Sequence, residues 1–262
     1  MPTLPPTPVP ASGVIPAGDW QVEHRARVES TQSVARGRPV WSAVVAAEQT
    51  AGRGQAERTF ASDPGGLYLT AVLPYAGDAL AVRGFALAVG WAVRETLLRL
   101  GVAPLRLRWP NDLMVEARKV GGILIEQGGP DTLLVGVGLN VTNHPWLFDP
   151  TLATIAGRLA DAMPDGGSLP AHAALAELVL PAIRRAHETF APRRLAGFVA
   201  ILNECWGRPR AVVLEPAAGV QLTVSRGHFC GIDGDGHLLL ETHGGTFVTI
   251  PAHHVGRLRE VP

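Results

Sequence analysis

The chain is poor in the residues that mark several protein classes. Two cysteines, Cys205 and Cys230, stand far apart among 262 residues and follow no metal-ligand spacing. That excludes a disulfide scaffold and leaves two free thiols, as expected in a reducing compartment. No apolar run approaches the ~18 residues of a membrane span. The N-terminus also lacks the basic start and apolar stretch of a secretory signal. A cytoplasmic location without a membrane partner is therefore expected. Neither sign of charge is in excess, because Lys+Arg and Asp+Glu both number 23. This balance excludes a general nucleic-acid or membrane-surface binder, so any anion must be met by local cations. Lysine is scarce, and arginine dominates the basic residues.

Apolar residues are plentiful at 47% of the chain, enough for one substantial core and a small second domain. Residues 1–18 carry Pro2, Pro5, Pro6, Pro8, Pro10 and Pro16 and are expected to be disordered or extended. They leave no room for a helix-turn-helix, so no DNA partner is expected. Strands are predicted at 42–47 and 66–74. A long helix is predicted at 79–100, with Phe85, Val89, Ala92, Val93 and Leu97 on one face and Gly101 as its cap. Four strands come next, at 105–109, 113–115, 120–126 and 132–141. Helices are predicted at 152–162, at 171–190 with a kink or restart at Pro181, and at 198–206. After Trp206 the texture changes to short strand candidates at 211–215, 221–224, 228–232, 237–241 and 246–250, separated by turns such as Asp233-Gly234-Asp235-Gly236. The expected fold class is α+β: a mixed-sheet domain over 19–206, then a small all-β barrel over 207–262. His228, His237, His243, His253 and His254 show no recognisable ligand spacing and read as surface residues of that barrel.

One stretch concentrates polar groups at the ends of apolar runs. Arg108-Trp109-Pro110-Asn111-Asp112 is followed by Lys119 and Gly121-Gly122-Ile123-Leu124-Ile125-Glu126. Pro110 should end one strand and leave Asn111 and Asp112 on a turn with their polar ends free. Asp112 suits a hard cation such as Mg2+ bridging phosphates. Lys119 is a point cation able to stabilise charge that builds on a carboxylate and an α-phosphate. Gly52-Arg53-Gly54 combines close backbone approach with a bidentate cation, again suited to an anion. Both motifs also read as ordinary turn or loop. Ser30-Thr31 reads equally as a helix cap, and Asn140 as a cap or a nucleotide contact.

Taken in order, these segments resemble those of biotin–protein ligases. Ser30-Thr31-Gln32-Ser33 is similar to the family's S-T-N segment, and Glu48-Gln49-Thr50-Ala51-Gly52-Arg53-Gly54 to its Gln-plus-G-R-G loop. Arg108 to Asp112 with Lys119 to Glu126 resembles the K-W-P-N-D…K core. Gly136-Val137-Gly138-Leu139-Asn140-Val141 resembles a G-x-G-x-N-V strand end, and the last segment an SH3-like domain. The resemblance implies a ligase that uses ATP and Mg2+ to form biotinyl-5′-AMP and passes biotin to a lysine of a biotin carboxyl carrier protein. A lipoate- or octanoate-type transferase and a non-catalytic biotin or adenylate sensor are the alternatives. The resemblance also leaves room for a homodimer through sheet edges.

The implied roles are specific. Lys119, Arg53 and Asp112 would be catalytic, with Asp112 also the metal ligand. Biotin would meet Ser30, Thr31, Gln32, Gln49, Gly52, Arg53, Gly54, Gln55, Lys119 and Gly122, the hydroxyls and amides matching its ureido group without added charge. ATP would meet Arg58, Phe60, Asn111 and Asn140. The chain departs from the family at the loop. Gln55 stands where a second arginine is usual, Glu57 is acidic, Phe60 replaces a tryptophan and Arg108 a lysine. Phe60 keeps an aromatic face and Arg108 a positive charge, but Gln55 removes a charge from the loop meant to hold an anionic intermediate. Restoring it with Gln55→Arg is expected to strengthen retention of the adenylate by about 1–3 kcal/mol. Intermediate release measured in wild type and variant checks this, and an unchanged dissociation rate would refute it.

Overall fold

The computed structural model describes residues 20–55, 58–75, 77, 82 and 84–261. The Pro-rich start, Ala56, Glu57 and most of 78–83 lie outside the described residues. Seven strands form the larger sheet: β1 (Gln21–Arg25), β2 (Ser42–Ala46), β3 (Leu67–Pro74), β4 (Arg106–Arg108), β5 (Asp112–Val115), β6 (Arg118–Gly129) and β7 (Thr132–Leu139), in the spatial order β1-β2-β3-β7-β6-β5-β4. β1 runs parallel to β2, and the other pairs are antiparallel. Alternation along β2 sends Ala43 and Val45 into the main core and Val44 to the opposite face beside Ala35, Val72 and Leu134. That opposite face is where the short helix α1 (Thr31–Ala35) sits.

The main core lies between the sheet and two packed helices, α2 (Phe85–Arg99) and α3 (His172–Arg193). α2 begins at Phe85, directly after Gly84, which is left-handed at φ 77°; most of the helix start predicted at 79–83 lies outside the described residues. Gly101, at φ 93°, ends the helix as expected. α3 runs unbroken through the buried Pro181, where a kink or restart was expected. The helix predicted at 152–162 is absent. Two 3-10 turns, Pro150–Leu152 and Leu159–Ala162, flank an extended piece whose Ile155 carbonyl and Gly157 amide bond the backbone of Lys119 at 2.8 and 2.9 Å. Those groups serve β6 and so cannot close helical turns.

Helix α4 (Val199–Trp206) leads into a second, antiparallel sheet. Its strands are β8 (Arg210–Pro216), β9 (Arg226–Ile232), β10 (Leu238–Glu241), β11 (Phe247–Ile250) and β12 (Val255–Glu260), ordered β11-β10-β9-β8-β12. Residues 221–224 form no strand, and β12 completes the sheet instead. A register shift between Val255 and Arg257 breaks the alternation of β12, so its buried residues are Val255 and Leu258. α4 ties the two sheets together. Trp206 Nε1 donates to the Leu107 carbonyl at 2.8 Å, and the Asn203 amide pairs with both backbone groups of Ile232 at 2.9 and 3.0 Å. One core runs through both sheets, from Trp20 to Leu258. No helix among the described residues is long and apolar enough to cross a membrane.

Phe85 anchors the helix layer, its ring tilted 45° to that of Phe190 at a centroid distance of 4.9 Å and only 1% exposed. Phe85→Ala is expected to lower stability by about 3–5 kcal/mol through the cavity it leaves. Urea unfolding measures the loss.

Candidate active site

The sheet opens one cleft of about 430 Å³, lined by residues of α1, the 49–61 loop, β4 to β7, the 145–156 segment and β12. At its centre is the hairpin of β4 and β5. Arg108 and Asp112 are register partners across the turn. The turn is not free, as its composition suggested. Asn111 is buried, its amide donating to the Ile123 carbonyl at 2.6 Å while its own carbonyl accepts from Ile123 N at 3.0 Å. Asp112 is also engaged, with Lys119 Nζ 2.5 Å from one oxygen and the Arg108 guanidinium 2.6 Å from the other. Burial alone would raise the Asp112 pKa, but these two cations outweigh it and hold the carboxyl below its usual range. Lys119 is the only lysine in the chain. Its side chain lies flat over Gly122, where a Cβ would sit 3.2 Å from Nζ.

One end of the cleft is uncharged. The Gln49 carbonyl accepts from Thr31 N at 2.8 Å and Thr31 Oγ1 at 3.0 Å, and its amide donates to Ser62 Oγ at 2.8 Å. Thr70 Oγ1 donates to Thr31 Oγ1 at 2.8 Å. Gln49 is thereby fixed in orientation. Gln32 lies against Gly136 and donates to the Leu124 carbonyl at 3.3 Å. Two buried polar atoms here have no hydrogen-bond partner in the protein, Ser30 Oγ and Gln32 Oε1. Ser30 stands at the helix cap position, yet its side chain makes no cap bond. Such groups are costly to leave unpaired, so their presence at a cleft points to a polar ligand.

The other end is cationic. Arg53, Arg58, Arg108, Lys119, Arg257 and Arg259 line the cleft, against the carboxylates of Asp112 and Glu260. Arg53 is exposed on a loop closed by the Gly54 N–Arg58 O and Phe60 N–Gly52 O bonds at 2.6 and 2.9 Å. The Phe60 ring packs on Gly138, where a Cβ would come within 2.8 Å of it, and lies 5.9 Å from Lys119 Nζ. Tyr68 stands edge-on to Phe60 and donates to the Asp63 carbonyl at 2.6 Å. Burial, helped by Asp63 and Glu48, pushes the Tyr68 hydroxyl pKa up, so Tyr68 is neutral. The metal role expected for Asp112 finds no support in this geometry. It is a single carboxylate whose two oxygens are held by cations, and Glu260 is held by Arg106. The described residues that line the cleft therefore form no ligand set for a resident divalent ion.

A match to the biotin/lipoate A/B protein ligase family model spans residues 26–140. The chain is 32% identical to a biotin–[acetyl-CoA-carboxylase] ligase of Paracoccus denitrificans, over 81% of this chain and 88% of that one. The chain belongs to this family. It is also 29% identical to the bifunctional ligase/repressor BirA of Escherichia coli, spanning 62% of that protein's length and 77% of its own. Among solved structures, the biotin protein ligase of Aquifex aeolicus in complex with biotin and ATP aligns with a TM-score of 0.75 at 25% identity. That alignment covers 92% of this chain and 99% of the other. The Leishmania major biotin protein ligase in complex with biotinyl-5-AMP aligns at 0.61 and 25%, over 88% and 98%.

The residues named from the family motifs converge on the cleft, with one exception. Gly52 does not line it. A Cβ there would meet the Phe60 carbonyl at 2.4 Å and Ser62 Oγ at 2.5 Å, so this glycine allows the loop to pack. Asn140 lines the cleft, but its amide donates to the Gly157 carbonyl at 3.1 Å and its oxygen accepts from Asn143 at 3.3 Å. It therefore ties segments together, as a cap does. Motif reading missed Arg257, which arrives from β12, outside the matched segment. It also missed Ser62 and Thr70, which orient Gln49 and Thr31. Ser62 and Thr70 carry no local signal, and only the fold brings them near. His237, expected at the surface, is half-buried beside Asp233, whose carboxylate accepts from the amides of Asp235 and His237 at 2.9 Å. That is the hydrogen bonding of a turn.

The Asp112 cluster has a pH signature. A depressed folded pKa contributes stability above the ordinary carboxylate pKa and loses it as pH falls through the folded value. Asp112→Asn should therefore cost about 1–3 kcal/mol near pH 7 and progressively less below about pH 4. Urea midpoints of both proteins across that range test it. A difference independent of pH would contradict the assignment.

Proposed function

We propose that this chain activates biotin with ATP as biotinyl-5′-AMP and transfers it to a lysine of a biotin carboxyl carrier domain. One observation carries the reading. Unpartnered buried polar atoms at an uncharged end, Ser30 Oγ and Gln32 Oε1, share one cleft with a cationic end built around Lys119. A ureido ring offers donors and an acceptor to the first, while a carboxylate and an α-phosphate need the second. An alkyl acid such as octanoate or lipoate would leave the polar atoms unpaired, which disfavours it.

In the first step a biotin carboxylate oxygen attacks the α-phosphorus of ATP, and the bond to pyrophosphate breaks. Lys119 leaves Asp112 for, or shares itself with, the charge developing between the carboxylate and the phosphate. Arg108 stays on Asp112, so the carboxylate is not left unpaired. Arg53 and Arg58 close over the anionic intermediate, and Phe60 offers an aromatic face near Lys119. Water excluded from the closed cleft cannot hydrolyse the mixed anhydride. In the second step a neutral carrier-lysine amine attacks the acyl carbon, AMP leaves, and the ammonium proton is lost to solvent. No enzyme side chain becomes acylated. Rate comes from positioning and electrostatics. Magnesium would accompany the nucleotide, since the described residues lining the cleft supply no ligand set of their own. Residues 19–206 would carry this chemistry, and 207–262 would form one wall of the cleft.

Lys119→Ala is expected to lower biotin-dependent ATP–pyrophosphate exchange by about a hundred-fold or more. Full activity in that variant would overturn the role of Lys119. Incubation with ATP, Mg2+, biotin and a carrier domain separates the readings. Biotin incorporation supports the ligase, whereas binding without turnover supports a sensor.

A further inference from the structure

Arg106 lies outside the cleft lining, yet its guanidinium joins three segments that build the site. Its two terminal nitrogens take both oxygens of Glu260, on β12, at 2.6 and 2.5 Å. Nε and one terminal nitrogen also donate to the Glu116 carbonyl at 3.3 and 2.8 Å. Both side chains of the ion pair are only about one-fifth exposed, at 19% and 20%. This is the bidentate fork that arginine forms and lysine cannot.

Glu116 is the left-handed residue of the β5–β6 turn, at φ 51°. A non-glycine residue holds that conformation only where its surroundings fix it. The turn matters because it feeds directly into the strand that carries Lys119. Met114 pairs with Lys119, but Leu113 pairs with Gly121, so the register shifts just past Lys119. In a strand, a slip of one residue turns every side chain to the other face. The face that Lys119 presents therefore depends on the turn holding its register. On one side its backbone is held by Ile155 and Gly157, at 2.8 and 2.9 Å. On the other, the Arg106 side chain holds the Glu116 carbonyl.

We propose that Arg106, oriented by Glu260, is a positioning residue for Lys119. Through this pair the last strand of the second sheet sets the reacting end of the first. The inference rests on the ligase reading for its kinetic consequence, but not for its structural one. Amide hydrogen exchange and biotin-dependent ATP–pyrophosphate exchange, measured on the full chain, test the two separately. Arg106→Lys keeps the charge but loses the fork. It should speed amide exchange over 115–120 and lower kcat by roughly ten- to hundred-fold, with KM for biotin changed by no more than about two-fold. Glu260→Ala should do the same, and Glu260→Asp should recover part of the loss. The Glu260 pair decides the matter if Arg106→Lys does not fold. Unchanged amide exchange over 115–120 would overturn the proposal, as would a fall in kcat matched by an equal rise in KM for biotin. If the wild type shows no biotin-dependent exchange, the ligase reading fails, and the amide data alone decide whether Arg106 holds the turn.

Discussion

The site depends on one carboxylate shared by two cations. Asp112 has Arg108 behind it and Lys119 in front, and the three come from two adjoining hairpins. Removing an anion and two cations from water is costly, and mutual attraction offsets that only with good geometry. The surrounding structure supplies the geometry. Asn111 locks the first hairpin to β6, Gly122 lets the lysine lie flat, and the extended piece at 155–157 holds the lysine backbone. The absence of a helix at 152–162 has the same origin, since the backbone groups that would have closed it are spent on Lys119.

The cleft divides its labour by charge. Its uncharged end is organised by side chains that bond one another, Gln49 with Thr31 and Ser62, and Thr31 with Thr70, leaving only a few atoms unsatisfied. This arrangement suits recognition, because a ligand lacking the matching groups leaves buried atoms unpaired. The cationic end has no such selectivity in its shape. There, several arginines from separate segments face one space. Binding identity at one end and charge neutralisation at the other are thus built from different physical terms, joined by β6 and β7.

Much of this was legible in the sequence where pattern and chemistry are local. The β4 to β7 run, the helix face of α2 and the motif residues from Ser30 to Asn140 follow from alternation, helical spacing and short segments. What was not legible depends on distant partners. β1 is a polar edge strand, Gln-Val-Glu-His-Arg, with no apolar period to betray it. The irregular register of β12 hid its strand character and, with it, Arg257. Asn111 and Asp112 read as a free turn because their partners, Ile123, Arg108 and Lys119, are defined only once the strands pair. Pro181 reads as a break in isolation, but the packing of α3 against α2 and β3 overrides it.

Lys119 being the only lysine gives the protein an unusual chemical identity. The ε-amine at the centre of the cleft is the only one the chain possesses, and the other basic side chains are guanidinium and imidazole groups. A reagent that acylates amines therefore has one lysine target here, and it is at the reacting end of the cleft. The extent of its labelling reads directly how tightly Asp112 holds that amine and whether a ligand covers it, with no background from lysines elsewhere on the fold.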